Sequence, residues 1–169
     1  MISVDYLRSI LRYDGETGTL WWRHRDDMRK EWNTRFAHTQ AFYTSHSKGY
    51  VVGTINNRKY FAHRVAFALH YGEWPSGEVD HINGNKTDNR IQNIREATNS
   101  ENMRNTGKYS TNKSGKKGVC FDKRSGRWHA QIMRDYKKIH LGYFTTPEEA
   151  HAAYCDASTK YHGEYGKTE

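Results

Sequence analysis

The chain has 169 residues, with 27 Lys+Arg against 19 Asp+Glu and a formal net charge of +8. Only 35% of residues are hydrophobic, yet 14% are aromatic. That length allows one or two small domains, and no apolar run reaches the roughly 18 residues of a membrane-spanning helix. The aromatic content excludes a wholly disordered chain, because each ordered ring buries a large apolar area.

Residues 4–13 carry Val4, Leu7, Ile10 and Leu11 at helical spacing and predict a short amphipathic helix. The opening residues include Asp5 and Asp14 and no small-residue cleavage site, so they do not read as a signal peptide. Residues 14–18, DGETG, predict a turn, and TLWWR at 19–23 a strand. Residues 24–47 are polar, without a defensible period. Residues 49–63 predict a hairpin turning at Asn56-Asn57. Residues 62–75 place Val65, Ala66 and Leu69 on one helical face, with Gly72 and Pro75 as stop signals.

The next block reads as strand (79–82), long loop (83–93), strand (94–97) and helix, the last opened by a Thr98-x-x-Glu101 capping box. Residues 106–115 have linker composition. Three strands follow at 117–122, 127–135 and 137–144, joined by KRSG and by a tight turn at Asp135-Tyr136. A final helix is opened by Thr146-Pro147-Glu148-Glu149 and stopped by Gly163, with Ala150, Ala153, Tyr154, Ala157 and Tyr161 on one face.

The charge is unevenly spread. Residues 104–144 hold 11 basic residues and 2 acids, more than solubility requires, and point to a polyanionic partner, nucleic acid first. Cys120 and Cys155 have no CxxC partner. They indicate neither a zinc knuckle nor a disulfide framework, and fit reduced thiols in a cytoplasmic protein.

Asp80 and His81 stand together at a strand end, and Asn102 lies near the start of the capped helix. Folding the strands back on the helix would let Asp80 and Asn102 offer hard oxygens to a Mg²⁺ ion, which keeps much of its hydration. His81, with an ordinary pKa near neutrality, would then take a proton from water. A metal beside a general base is a minimal device for hydrolysing phosphodiesters.

The stretch HRVAFALHYGEWPSGEVDHINGNKTDNRIQNIREATNSENMRN, residues 63–105, closely resembles the HNH homing endonucleases of phages and introns. That resemblance implies a ββα-metal (His-Me) finger. It makes His81 the general base, Asp80 a metal ligand, Asn93 the middle asparagine that ties the long loop to the finger, and Asn102 the second ligand. It further implies one divalent ion, Mg²⁺ with Mn²⁺ able to substitute. Asn83, Asn85 and Asn89 read as turn formers that satisfy the loop's own backbone. Lys86 and Arg90 are candidates for phosphate contact, and His63 reads as structural and lies outside the metal site.

Along the three C-terminal strands Trp128, Ala130 and Ile132 share one face, and His129, Gln131 and Met133 the other; Lys138 and His140 face out with the second set. The turns add Lys123, Arg124 and Arg127, so the open face is basic and able to enter a major groove. The KGV, GRWHAQI, HLGYF and EEAHAAYCDASTKYHGE segments resemble the apetala/ethylene-response-factor-type DNA-binding domain. The family's contacting positions fall on Lys117, His129, Gln131, His140 and Tyr143. Cys120 and Asp122 stand where plant members usually have arginines, so the plant target sequence does not carry over.

The expectation is therefore an α+β chain. A region with a β-hairpin (1–60) is expected to contact DNA. A ββα-metal nuclease core (61–106) and a linker (107–115) follow, then a small three-stranded antiparallel sheet packed on one helix (116–166). The activity it implies is metal-dependent hydrolysis of double-stranded DNA by a monomer without membrane contact, in the cytoplasm of a phage host or encoded by an intron. DNA-binding candidates are Lys117, Arg127, His129, Gln131, Lys138, His140 and Tyr143. The rival is a non-catalytic DNA-binding regulator built on the C-terminal sheet.

Overall fold

A computed structural model of the chain describes residues 2–168. It is a mixed α+β structure of small antiparallel sheets and five α-helices, in two compact units, one running to Asn99 and the other starting at Ser100. Among the described residues, no helix is long and apolar enough to cross a membrane.

In the first unit, helix α1 (Val4–Ile10) starts where the Ser3 side chain accepts from the Tyr6 amide, and it ends three residues earlier than the apolar spacing suggests. From Leu11 the backbone is extended and forms β1 (Leu11–Asp14), which pairs antiparallel with β2 (Thr19–Trp22). Leu11 fits either period. The ladder wins because Leu11 reaches the core from the strand, where it is 1% exposed.

The segment without a period contains helix α2 (Lys30–Phe36) and strands β3 (Gln40–Ala41) and β4 (Thr44–Ser45). No face of α2 is buried. It is seated by Trp32, whose ring meets Trp22 edge-on at 5.6 Å and carries the Arg25 guanidinium at 5.5 Å.

Strands β5 (Val51–Ile55) and β6 (Arg58–Phe61) form the expected hairpin. Its two turn residues, Asn56 and Asn57, both have positive φ, as a two-residue type I′ connection demands. Helix α3 (Ala62–Tyr71) follows directly and stops at Gly72 in the left-handed region. It lies between two apolar clusters. Ala62, Val65 and Ala68 join Leu7, Ile10, Leu11, Leu20, Phe42 and Ile55, while Ala66 and Phe67 meet Val79 and Ile94. Residues 1–60 thus share a core with α3, and no boundary separates them at residue 61.

Those last two residues belong to β7 (Glu78–His81) and β8 (Ile94–Ala97), an antiparallel pair with Asp80 opposite Arg95 and His81 opposite Ile94. Helix α4 (Asn99–Asn105) comes next in the chain.

In the second unit, β9 (Val119–Asp122), β10 (Arg127–Arg134) and β11 (Lys137–Phe144) form a meander with β10 central. Helix α5 (Pro147–His162) covers one face, starting at the expected capping box between Thr146 and Glu149. Ala130, Ile132, Val119, Ala150, Tyr154 and Ala157 form the core; Ala153 is half-buried at its edge. The unit begins before the expected linker for a physical reason. The Lys117 ammonium donates to the carbonyls of Arg104 (2.9 Å) and Lys167 (2.8 Å), which joins the end of α4 to the sheet domain.

Candidate active site around His81

His81 closes β7 and is 4% exposed. Its Nε2 lies 3.0 Å from Oδ1 of Asn89, another buried side chain. The Asn89 amide is oriented by its Nδ2, which donates to the Thr87 carbonyl at 3.4 Å, so Oδ1 is the atom facing the ring. An acceptor at Nε2 requires the proton there. The lone pair is therefore on Nδ1.

Two further rings wall the imidazole. His63 meets it edge-on at 5.0 Å, and the Tyr50 ring lies 6.0 Å away. Burial drives the His63 pKa down to about 3, with the neighbouring His81 adding to the effect. His63 is thus a neutral wall, and its buried Nδ1 has no hydrogen-bond partner among the described residues. Burial also lowers the pKa of His81, against the opposing pull of the Asn89 bond and of Asp80 and Asp88. Neutral His81 with its lone pair on Nδ1 is a proton acceptor at pH 7.

Asp80, 5% exposed, faces its cross-strand partner. Arg95 donates to Asp80 Oδ2 from both Nε and a terminal nitrogen, each at 3.1 Å. Burying this carboxylate without such a cation would be costly.

The loop between β7 and β8 is self-braced. Asn93 accepts from the Asn83 amide (3.0 Å) and donates to the Asp88 carbonyl (2.7 Å), so one side chain spans the loop. Asn83 and Asn85 accept from the amides of Asn85 and Thr87. Asp88 binds the Arg90 guanidinium through both oxygens, chiefly for which its pKa is held down to about 2. Lys86 donates to the Lys48 carbonyl and lies 4.7 Å over the Tyr50 ring.

The N-terminal strands hold this loop from outside. The Tyr13 hydroxyl donates to the Asn89 carbonyl at 2.7 Å, and the Ile91 amide donates to the Gly15 carbonyl at 3.1 Å. Burial, reinforced by Asp14, keeps the Tyr13 phenol protonated as that donor. Gly18, at φ +74°, lets the two backbones meet: a Cβ there would lie 2.5 Å from the Arg90 nitrogen.

Asp80, His81 and Asn93 are thus gathered in the first unit. Asn102 is half-buried on α4, in the second. The resemblance implies a divalent ion, and the buried Asp80 carboxylate is of the hard oxygen type that such an ion takes. Among the described residues, no group of three His, Cys, Asp or Glu forms a metal cluster.

On the open face of the C-terminal sheet, a β-bulge at Leu141-Gly142 shifts the register, which puts His140 and Tyr143 on one side three residues apart. Their rings lie 4.8 Å apart and each is about 6 Å from His129. Arg127 and Lys138 are exposed and Gln131 half-exposed. Lys117 departs from the expected set. Its ammonium is held by the two carbonyls described above, and burial lowers its pKa to about 8. It acts as an internal brace.

Sequence reasoning read His63 as structural and Asn89 as a turn former, missing the Asn89 contact with His81, and it did not single out Tyr50 or Tyr13.

A family model described as HNH endonuclease matches residues 60–104, the span from the end of β6 into α4. No curated protein and no solved structure is similar enough to the chain to count as a match.

Proposed function

We propose that the chain is a DNA endonuclease of the homing type that hydrolyses phosphodiesters with His81 as general base. The observation that carries this reading is the buried, neutral His81, protonated on Nε2 toward Asn89, inside the segment that matches the HNH endonuclease model. Nδ1 takes the proton from an attacking water as the new P–O bond forms and the P–O bond to the leaving sugar oxygen breaks, that oxygen taking its proton from solvent. Asn89 holds the ring in the required tautomer throughout, so no ring flip precedes the step. Asn93 keeps the loop, and with it Asn89, in register. Asp80 would hold a divalent ion, Mg²⁺ or Mn²⁺, with Asn102 as the second ligand that the resemblance implies, and the ion would supply Lewis-acid stabilisation of the phosphate's developing charge. The open face of the C-terminal sheet, with Arg127, His129, Gln131, Lys138, His140 and Tyr143, reads the DNA in the manner of the apetala/ethylene-response-factor-type domain.

The test is nicking of supercoiled plasmid in Mg²⁺, with EDTA as control. His81→Ala should reduce the rate roughly 10²–10⁴-fold, the usual worth of a general base, and leave DNA affinity within a few fold. A chain that binds DNA but never nicks it, with Mg²⁺ or Mn²⁺, would instead be the non-catalytic regulator.

A further inference from the structure

The N-terminal strands carry a second, separate concentration of positive charge. A cleft of about 410 Å³ opens beside α1 and β1, lined by Arg8, Arg12, Arg23 and His70 together with Tyr13 and the small and apolar groups between them. No carboxylate lines it. A neighbouring, smaller cleft again has Arg12 and Arg23 in its wall, with Trp21 and Trp22.

The arginines differ in how they are held. Arg12 makes no hydrogen bond or ion pair among the described residues; its guanidinium lies 5.9 Å from the ring centre of its cross-strand neighbour Trp21. Arg23 spends only its Nε, on the Leu11 carbonyl at 3.0 Å. That bond anchors the side chain and leaves its terminal nitrogens without a protein acceptor. Arg8 has a loose contact with Asp5, 3.8 Å away and largely exposed, of little energetic weight. Asp14 is turned into its own turn, where it accepts from the Glu16 and Thr17 amides, and Arg12 acts on it only as a minor through-space charge, without an ion pair.

Two guanidiniums pre-positioned by an indole and a carbonyl, without an ion pair among the described residues and in a concave wall, form a receptor for an anion that offers two or more oxygens, as a phosphodiester does. We infer that this cleft is a phosphate-binding site for the backbone of duplex DNA, with Arg12 and Arg23 as the contacting residues. The inference rests on the DNA reading above and adds a grip that belongs to neither the finger nor the C-terminal sheet. Tyr13 links it to the chemistry: the same side chain lines the cleft and donates to the carbonyl of Asn89, the partner of His81. A strand seated here lies one residue from the loop that positions the base.

The experiment is a salt titration of full-length protein binding a labelled duplex in EDTA, so that nothing is cut, compared with the Arg12→Ala/Arg23→Ala double variant. Each lost phosphate contact lowers the slope of log K against log salt by roughly 0.9, so the slope should flatten by about 2. Over a fourfold rise in salt the wild type should then lose about tenfold more affinity than the variant. A conservative Arg12→Lys/Arg23→Lys variant should restore most of the slope. An unchanged slope in a double variant with unchanged Tm overturns the proposal. So does a variant that loses affinity for inorganic phosphate alone while its duplex titration stays that of the wild type, since the cleft would then hold a free anion. If the wild-type chain does not bind duplex at all, the DNA reading itself fails, and the result is distinguishable from either of these.

Discussion

Asn89 gives His81 its direction, and changing the chemistry of that one acceptor should move the pH dependence of cleavage in a known sense. In the role proposed for His81, the base works when unprotonated, so activity should fall as pH drops through the His81 pKa. Burial places that pKa below the ordinary 6.5, and the acid limb of the rate profile should lie below 6.5 as well. Asn89→Asp replaces a neutral acceptor with a carboxylate beside Nε2, which favours the imidazolium and raises the pKa. The acid limb should then shift to higher pH while the high-pH plateau survives. Asn89→Leu removes the acceptor, leaves the ring's desolvation in place and frees the tautomer, so the plateau itself should drop. Nitrogen-15 shifts of the His81 ring report tautomer and pKa without any need for turnover. An acid limb that stays in place in Asn89→Asp would show that the 3.0 Å contact does not govern the base.

At the scale of elements, the loop between β7 and β8 is braced by a neighbouring hairpin. The turn between β1 and β2 meets residues 89–91 through one glycine, one tyrosine and one backbone bond. Gly18→Ala imposes a side chain on a left-handed backbone, which costs about 1–2 kcal/mol, and its Cβ collides with the Arg90 backbone. For a unit of this size each kcal/mol lowers Tm by about 4–8 °C. Nicking should fall further than the loss of folded protein explains, because the displaced segment carries Asn89. Gly18→Asn separates the causes, since asparagine tolerates the left-handed region but not the collision. A Gly18→Asn variant with wild-type Tm and rate would show that the close approach is not needed.

The same scale shows what could be read from the sequence. The Asn56-Asn57 turn, the Gly72 stop, the Thr146 capping box and the alternation of β10 depend on residues close in sequence, and each appears where the local pattern puts it. Helix α2 does not. Its anchors are Trp32 on Trp22 and Arg25, side-chain contacts between elements that leave no period behind. Leu11 shows the same limit from the other side, because its spacing suits a helix and a strand equally. Asp80, His81 and Asn93 were singled out by their motif, and the structure gathers them in the first unit. The partner of His81 was not singled out, since an asparagine eight residues away in a loop full of asparagines looks like one more turn former.

For the molecule as a whole, the charge arithmetic suggested cutting the chain at the polar stretch 106–115, but the compact units divide between Asn99 and Ser100. Lys117 explains why this matters. Its half-buried ammonium is satisfied by the carbonyls of Arg104 and Lys167, and the Lys167 amide returns a weak bond to the same Arg104 carbonyl. A fragment that begins at residue 107 removes Arg104 and leaves Lys117 short of an acceptor, with its pKa already lowered to about 8 by burial. Losing an acceptor from a partly buried charge typically costs about 1–3 kcal/mol. Fragment 100–169 should therefore unfold at a clearly higher temperature than fragment 107–169 at pH 7. The gap should narrow above pH 8, as the lysine sheds its charge and with it much of the cost of the missing acceptor. Both fragments keep Arg127, His129, Gln131, Lys138, His140 and Tyr143 on one open face, so fragment 100–169 should bind duplex DNA with a marked salt dependence and cut nothing. Equal melting temperatures for the two fragments at pH 7 would mean that the Lys117 bonds do not fix the domain's edge. A folded fragment 100–169 without salt-sensitive binding would remove the C-terminal sheet from the DNA-reading role.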